Sequence, residues 1–227
     1  YPTPELPSLT AIYAEWRVQL VDGGLAWALV DTLRVTAIGF VLASIIGSSL
    51  GFLMGRMKVI WAIAEPFVEL VRQIPVTALL PLLILYLGIG ETFRIVIVLL
   101  VATFPILLNA YAGARSLSTT MRLTAQTFQL SWWQTQWEIG IPSALPYILV
   151  GMRQALGMAL VLAVVTGMLA GNSGIGYFIL QAQQILNVRA LFAGILTIAA
   201  VGYLLNALFL VVDRRLTKWQ QVGSSAE

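Results

Sequence analysis

Residues 35–55 read VTAIGFVLASIIGSSLGFLMG, 21 consecutive positions without a charge between Arg34 and Arg56. A bilayer core about 30 Å thick is crossed by roughly 20 helical residues, so this stretch is long enough to span it. Charges cut the rest of the chain in the same way. Residues 73–90 give 18 free positions, 95–114 give 20, 190–212 give 23 and 154–188 give 35, the last interrupted by the glycine-rich run 171–176. No run shows the period-two alternation of a membrane strand. Five helical spans are therefore expected, near 29–56, 73–89, 92–115, 144–170 and 190–213.

Composition agrees. Of 227 residues, 59% are hydrophobic and 10% are charged, against the roughly 25% charged of soluble domains. Such a chain has too little polar surface to cover a soluble body. The 13 Lys and Arg are scattered among apolar runs, which argues against a nucleic-acid-binding domain. Without Cys or His there is no disulfide framework and no ordinary zinc site, and no metal is expected.

The basic residues orient the spans. If the first span ends inside, Arg56, Lys58, Arg72, Arg115, Arg122, Arg214, Arg215 and Lys218 are cytoplasmic, while Arg17, Arg34, Arg94 and Arg189 lie outside. This bias places the N-terminus out and the C-terminus in. Residues 1–28 then form an extracytoplasmic lead-in, 29–219 the transmembrane domain and 220–227 a polar cytoplasmic tail. The amphipathic stretch 58–72 belongs along the inner interface.

Small residues recur at every fourth position in two spans: Gly39, Ala43, Gly47, Gly51 and Gly55, then Gly151, Ala155, Ala159, Ala163, Gly167 and Gly171. Such stripes let another backbone approach closely, the main source of helix association in lipid. Static packing and a face that shears during transport are both compatible with them. Pro75 and Pro81 are positioned to break the second span, which points to a central cavity, or simply to kink it.

Residues 116–142, the longest inner connection, carry only two charges, Arg122 and Glu138, beside Phe128, Trp132, Trp133 and Trp137. A half-apolar segment of this kind either lies on the bilayer surface or docks into another protein. Composition leaves both open.

Here the residues resemble a known family. TAQTFQLSWWQ at 124–134, running into IPSALPYI at 141–148, is similar to the coupling loop of ABC importer permeases, and in particular to the nitrate/sulfonate/taurine group. TLRV at 32–35, RQIP at 72–75, FPILLN at 104–109, MLAGNSGIGY at 168–177 and AGIL at 193–196 extend the match in order over roughly residues 2–219. The resemblance implies an all-α integral membrane protein with the five-transmembrane-helix core of a type I ABC importer permease, and leaves room for a further N-terminal helix missing from this chain. It implies a bacterial-type inner-membrane location, pairing with a second permease subunit as homodimer or heterodimer, a pair of ATP-binding subunits that hold ATP and Mg, and an extracytoplasmic substrate-binding protein. It implies a small anionic solute such as a sulfonate, taurine or nitrate. The coupling residues it implies are Thr124, Ala125, Gln126, Phe128, Gln129, Ser131, Trp132, Trp133, Gly140 and Pro142. Three positions depart from the family pattern: Leu123 stands where an acidic residue is usual, Gln129 where a glycine is usual, and Gly167 where a glutamate is common.

Rival functions are weaker. No catalytic residue is assigned, because the chain has no His or Cys and no acidic residue within the charge-free runs. It has no phosphate-binding G-x-x-x-x-G-K-[ST] loop. The alternative is a self-sufficient channel or secondary transporter, for which Arg153 is the main intramembrane charge. Asn109, Gln154, Asn172 and Ser173 are the candidate path or gate residues, with interhelical hydrogen bonding as the competing role. Arg72 is expected to anchor the start of the second span, with Glu69 as partner.

Overall fold

The structure, a computed structural model, describes residues 7–218. Its elements are α1 (Leu9–Val21), α2 (Leu25–Arg56), α3 (Lys58–Arg72), a 3-10 turn (Val76–Leu79), α4 (Leu80–Leu87), α5 (Glu91–Arg115), α6 (Thr119–Thr127), α7 (Trp132–Thr135), a π-helical turn (Gln136–Gly140), α8 (Ile141–Ala170), α9 (Gly174–Gln184) and α10 (Val188–Leu216). Among the described residues, α2, α5, the run from Trp132 to Ala170, and α10 are each long and apolar enough to cross a membrane. Helices are the natural answer there, since each closes its own backbone hydrogen bonds.

Helix α5 sits between α2 and α8. Its Phe93, Ile97, Val98, Ala102, Ile106 and Ala110 are completely buried. The two small-residue stripes face it. A Cβ on Gly47 would stand 2.9 Å from the Thr103 carbonyl oxygen, and one on Gly55 would stand 2.5 Å from the Ala114 Cβ. A Cβ on Gly51 would collide with the Leu107 carbonyl oxygen. From the other side, Gly151 leaves room for the Pro105 carbonyl at 2.8 Å from its absent Cβ. Ala43, Ala155, Ala159 and Ala163 complete the shared core. The stripe thins at Gly167, whose Cβ would meet nothing closer than 3.5 Å. The tighter glycine there is Gly176 on α9, which packs against the Val164 carbonyl.

Contacts at both ends show that α2 and α5 run parallel. Arg94 Nη1 donates to Asp31 Oδ2 at 2.6 Å near their N-terminal ends, with the exposed pair Arg34–Glu91 at 3.1 Å beside it. At the far ends, Arg56 Nη1 donates to the Ala114 carbonyl at 3.3 Å. The chain between them must therefore return across the full thickness. It does so through α3 and the 3-10/α4 segment, bent by 83°. The span expected near 73–89 is thus a broken crossing. The 12 helical residues Val76–Leu87 would cover only about 18 Å as an α-helix. Pro75 marks the break, directly before the 3-10 turn. Pro81 lies in the first turn of α4, where its missing N–H leaves no bond unmade, and does not break it.

Helices also form outside the expected spans. Part of the expected lead-in forms α1, which docks on α10 through a hydrogen bond from Trp16 Nε1 to Thr197 Oγ1 at 2.9 Å. The glycine-rich interruption is followed by α9, which buries Ile175 and Ile179 beside Leu25 of α2. Helix α2 itself begins at Leu25, before the expected 29, and α8 at Ile141, before 144. The tail 220–227 and residues 1–6 lie outside the described residues.

Gly51→Ala is expected to lower stability by about 1–3 kcal/mol, because backbone rather than a movable side chain occupies the space its methyl needs. Gly157→Ala, with nothing within 4 Å of the new methyl, serves as the control and should be neutral or slightly stabilising. Thermal unfolding of the two variants in one detergent checks the contrast.

Candidate functional site

The segment 116–142 folds as an ordered elbow. Ser118 caps α6, its Oγ accepting from Met121 N at 3.2 Å. The helix ends with Gln129 in the left-handed region at φ 51°. Hydrogen bonds from Gln129 N to the Gln126 carbonyl and from Leu130 N to the Ala125 carbonyl, each 3.0 Å, close that reversal. This conformation is the usual helix stop at glycine, so Gln129 carries a steric cost. Ser131 opens α7 with a capping box: its Oγ accepts from Gln134 N at 3.3 Å, and its own N–H donates to Gln134 Oε1 at 2.8 Å.

Apolar side chains project from the elbow. Phe128 is 73% exposed, and Trp133 and Trp137 are each 68% exposed. Trp132 and Trp133 meet edge to face at 4.7 Å. Thr124, Gln126 and Leu123 are also exposed, whereas Ala125 faces inward. The elbow's other end is fastened to the helices. Gln136, buried in the π-helical turn, accepts from Arg56 Nε at 2.5 Å and donates to the Trp132 carbonyl at 3.3 Å. Gly140 ends this turn, and its absent Cβ would lie 3.0 Å from Gln136 Oε1. Pro142 sits in the first turn of α8. The sequence reading missed the Arg56–Gln136 bond. Its one signal is an amide flanked by Trp132, Trp133 and Trp137, a setting in which a polar group needs a partner.

A second feature lies at the broken crossing. A cavity of about 730 Å³ opens between the α3–α4 bend, α5 and α8. Asn109 and Gln154 both line it, joined by Arg72, Gln73 and Thr77. Asn109 Nδ2 donates to the Pro105 carbonyl at 2.8 Å. Arg72 pairs with Glu69, Nη2 to Oε2 at 2.7 Å.

Asn172 and Ser173 are not part of this cavity. They stand at the turn between α8 and α9, where Ser173 Oγ donates to Asp31 Oδ2 at 3.1 Å and accepts from Arg94 Nη1 at 3.2 Å. Thr32 Oγ1 accepts from Ile175 N beside them at 2.8 Å. This network ties α2, α5 and the α8–α9 turn together. Sequence reading missed it because its members, Asp31, Arg94 and Ser173, lie far apart in the chain and nothing local links them. Arg153, the intramembrane charge, is exposed and donates to Asn206 Oδ1 on α10 at 3.1 Å.

Comparison with known proteins gives the class. Residues 39–218 match the family described as binding-protein-dependent transport system inner membrane component. The chain belongs to this family and is a multi-pass permease component of the ABC importer kind. It is 32% identical over 215 residues to a Bacillus subtilis (strain 168) protein named as an aliphatic sulfonates transport permease, SsuC, covering 95% of this chain and 78% of the relative. It is 32% identical over 199 residues to the taurine transport system permease protein TauC of Escherichia coli (strain K12), covering 88% and 72%. It is 31% identical over 185 residues to the nitrate import permease protein NrtB of Synechocystis sp., covering 82% and 67%. The fold matches a chain of the inward-facing MetNI methionine ABC transporter with a TM-score of 0.72 at 19% identity, over 85% of this chain and 97% of that one.

Gln129→Gly should raise stability by about 1 kcal/mol, because glycine adopts the left-handed conformation without the Cβ penalty. An unchanged or lowered melting temperature in the otherwise native protein would contradict the cost assigned to Gln129.

Proposed function

We propose that this chain lines the translocation path for a small oxyanion and takes its driving force from a separate ATPase seated on the 116–142 elbow. The observation that carries the coupling role is the exposure of Phe128, Trp133 and Trp137 on a segment whose backbone is held by two serine caps and a closed reversal. A flexible loop would lose any pushing force as disorder. A capped elbow bonded to Arg56 passes a displacement into α2 and α8. Thr124, Gln126, Gln129, Ser131, Trp132, Gly140 and Pro142 shape or flank this surface. The ATP and Mg belong to the partner ATPase pair.

For the path, the reading rests on the cavity at the bend. Its volume lies within the roughly 300–1,000 Å³ of small-molecule sites. Gln73, Thr77, Asn109 and Gln154 offer neutral donors, while Arg72 has its charge engaged by Glu69. Neutral donors suit an anion that must be released again after each cycle. The relatives named for sulfonates, taurine and nitrate agree with this chemistry. A second permease copy or a homologue would supply the facing wall, and a binding protein would deliver solute at the α8–α9 end, near Asn172 and Ser173. The basic-residue bias supports a topology with the N-terminal side outside and the elbow inside.

Phe128→Asp or Trp133→Asp is expected to cut solute uptake by the assembled transporter about tenfold or more, since a charge would have to be desolvated in the docked joint. Basal ATP hydrolysis and helix content should persist. Uptake and stimulated hydrolysis at the wild-type level in both variants would remove the elbow from the coupling path.

A further inference from the structure

We infer that the cleft where α2, α3, α5 and α6 meet binds the phosphate headgroup of an anionic phospholipid. The cleft has a volume of about 650 Å³ and is lined by Arg56, Lys58, Arg115 and Arg122, with Trp61 and Tyr111. Four helices each contribute one cation. Ion pairing with carboxylates occurs elsewhere, at Arg34, Arg72 and Arg94, and none of the four has such a partner among the described residues. Arg56 spends two donors on Gln136 and the Ala114 carbonyl. Arg115 donates to the Tyr111 hydroxyl at 2.6 Å, with its guanidinium 5.5 Å from that ring. The side chains of Lys58 and Arg122 make no hydrogen bond or ion pair among the described residues. Like charges gathered into one cleft repel, and an anion between them relieves that repulsion.

The bias of basic residues toward one membrane face accounts for which side they occupy. It does not account for their convergence from four helices. The surroundings favour a lipid over a soluble phosphate. The cleft opens at the ends of the two crossing helices α2 and α5, with apolar floor from Met54 and Ala62. Helix α3 carries exposed Val59, Ile63, Phe67 and Leu70, a face suited to the acyl boundary. Trp and Tyr favour the headgroup level, and basic pockets between membrane helices suit anionic headgroups. The inference needs only the membrane setting and does not require the coupling role of the elbow, although Arg122 lies on its first helix.

The test is native mass spectrometry of the intact transporter complex with dioleoylphosphatidylglycerol or dioleoylphosphatidylcholine added. The wild type should retain the glycerol lipid preferentially. A Lys58→Gln/Arg122→Gln double variant should lose that preference about tenfold, with choline-lipid retention unchanged, and Lys58→Arg should keep it. Equal retention of the two lipids by the wild type, or an unchanged preference in the double variant, overturns the inference. So does displacement of the glycerol lipid by an equal concentration of inorganic phosphate, which marks a soluble-anion site. Loss of the ATPase from the double-variant particle with lipid retention intact marks a protein contact and overturns it as well.

Discussion

A helix in lipid gains little by hiding apolar side chains from apolar tails, so the seating of α2 on α5 has to come from close backbone contact. Gly47, Gly51 and Gly55 supply it, each leaving the space of one methyl to a carbonyl or methyl of α5. Gly151 does the same from α8 against Pro105. Dispersion across such surfaces is small per atom pair and large in sum. The rest of the architecture follows. The stripe runs through the second half of α2, Gly39 to Gly55, and with the Asp31–Arg94 pair before it that helix lies beside α5 from this pair to the Arg56–Ala114 contact. Two parallel neighbours oblige the intervening chain to recross, and the recrossing is bent at Pro75. The bend leaves the cavity that holds Asn109 and Gln154.

The same helices link this cavity to the elbow. Arg56 is the last residue of α2, and it reaches both the α5 terminus and Gln136 beneath α7. A force applied at Phe128 or Trp133 therefore has a continuous bonded route to the two helices that carry the central packing. Opposite this end, Asp31, Arg94 and Ser173 fasten the α8–α9 turn to the same pair of helices. A body clamped at both ends with its opening near the middle suits rigid rocking of whole subunits better than bending of single helices.

Much of this was legible in the sequence. Charge-free runs located α2, α5, α8 and α10, because burying a charge in lipid is costly and the chain avoids it. The four-residue spacing of small side chains identified the packing faces. Boundaries were less legible. Asp31 and Arg94 fall inside the expected spans 29–56 and 92–115, yet their pairing was not read, since two charges that neutralise each other across 63 residues leave no local trace. Helices α1 and α9 escaped for a related reason: each is short, and its burial depends on distant partners such as Thr197 and Leu25. At the elbow, the aromatic residues announced a special surface. The left-handed conformation of Gln129 and the Gln136 bond were visible only in three dimensions.

The parallel arrangement of α2 and α5 is the claim on which the crossing, the cavity and the elbow's linkage all depend. The chain has no cysteine, so single cysteines can be introduced at Met57 and Ile89, both exposed and flanking the broken crossing. Labelling in sealed membrane vesicles with a membrane-impermeant maleimide should reach Met57→Cys from one side only and Ile89→Cys from the opposite side only. Labelling of both positions from the same side would contradict the account.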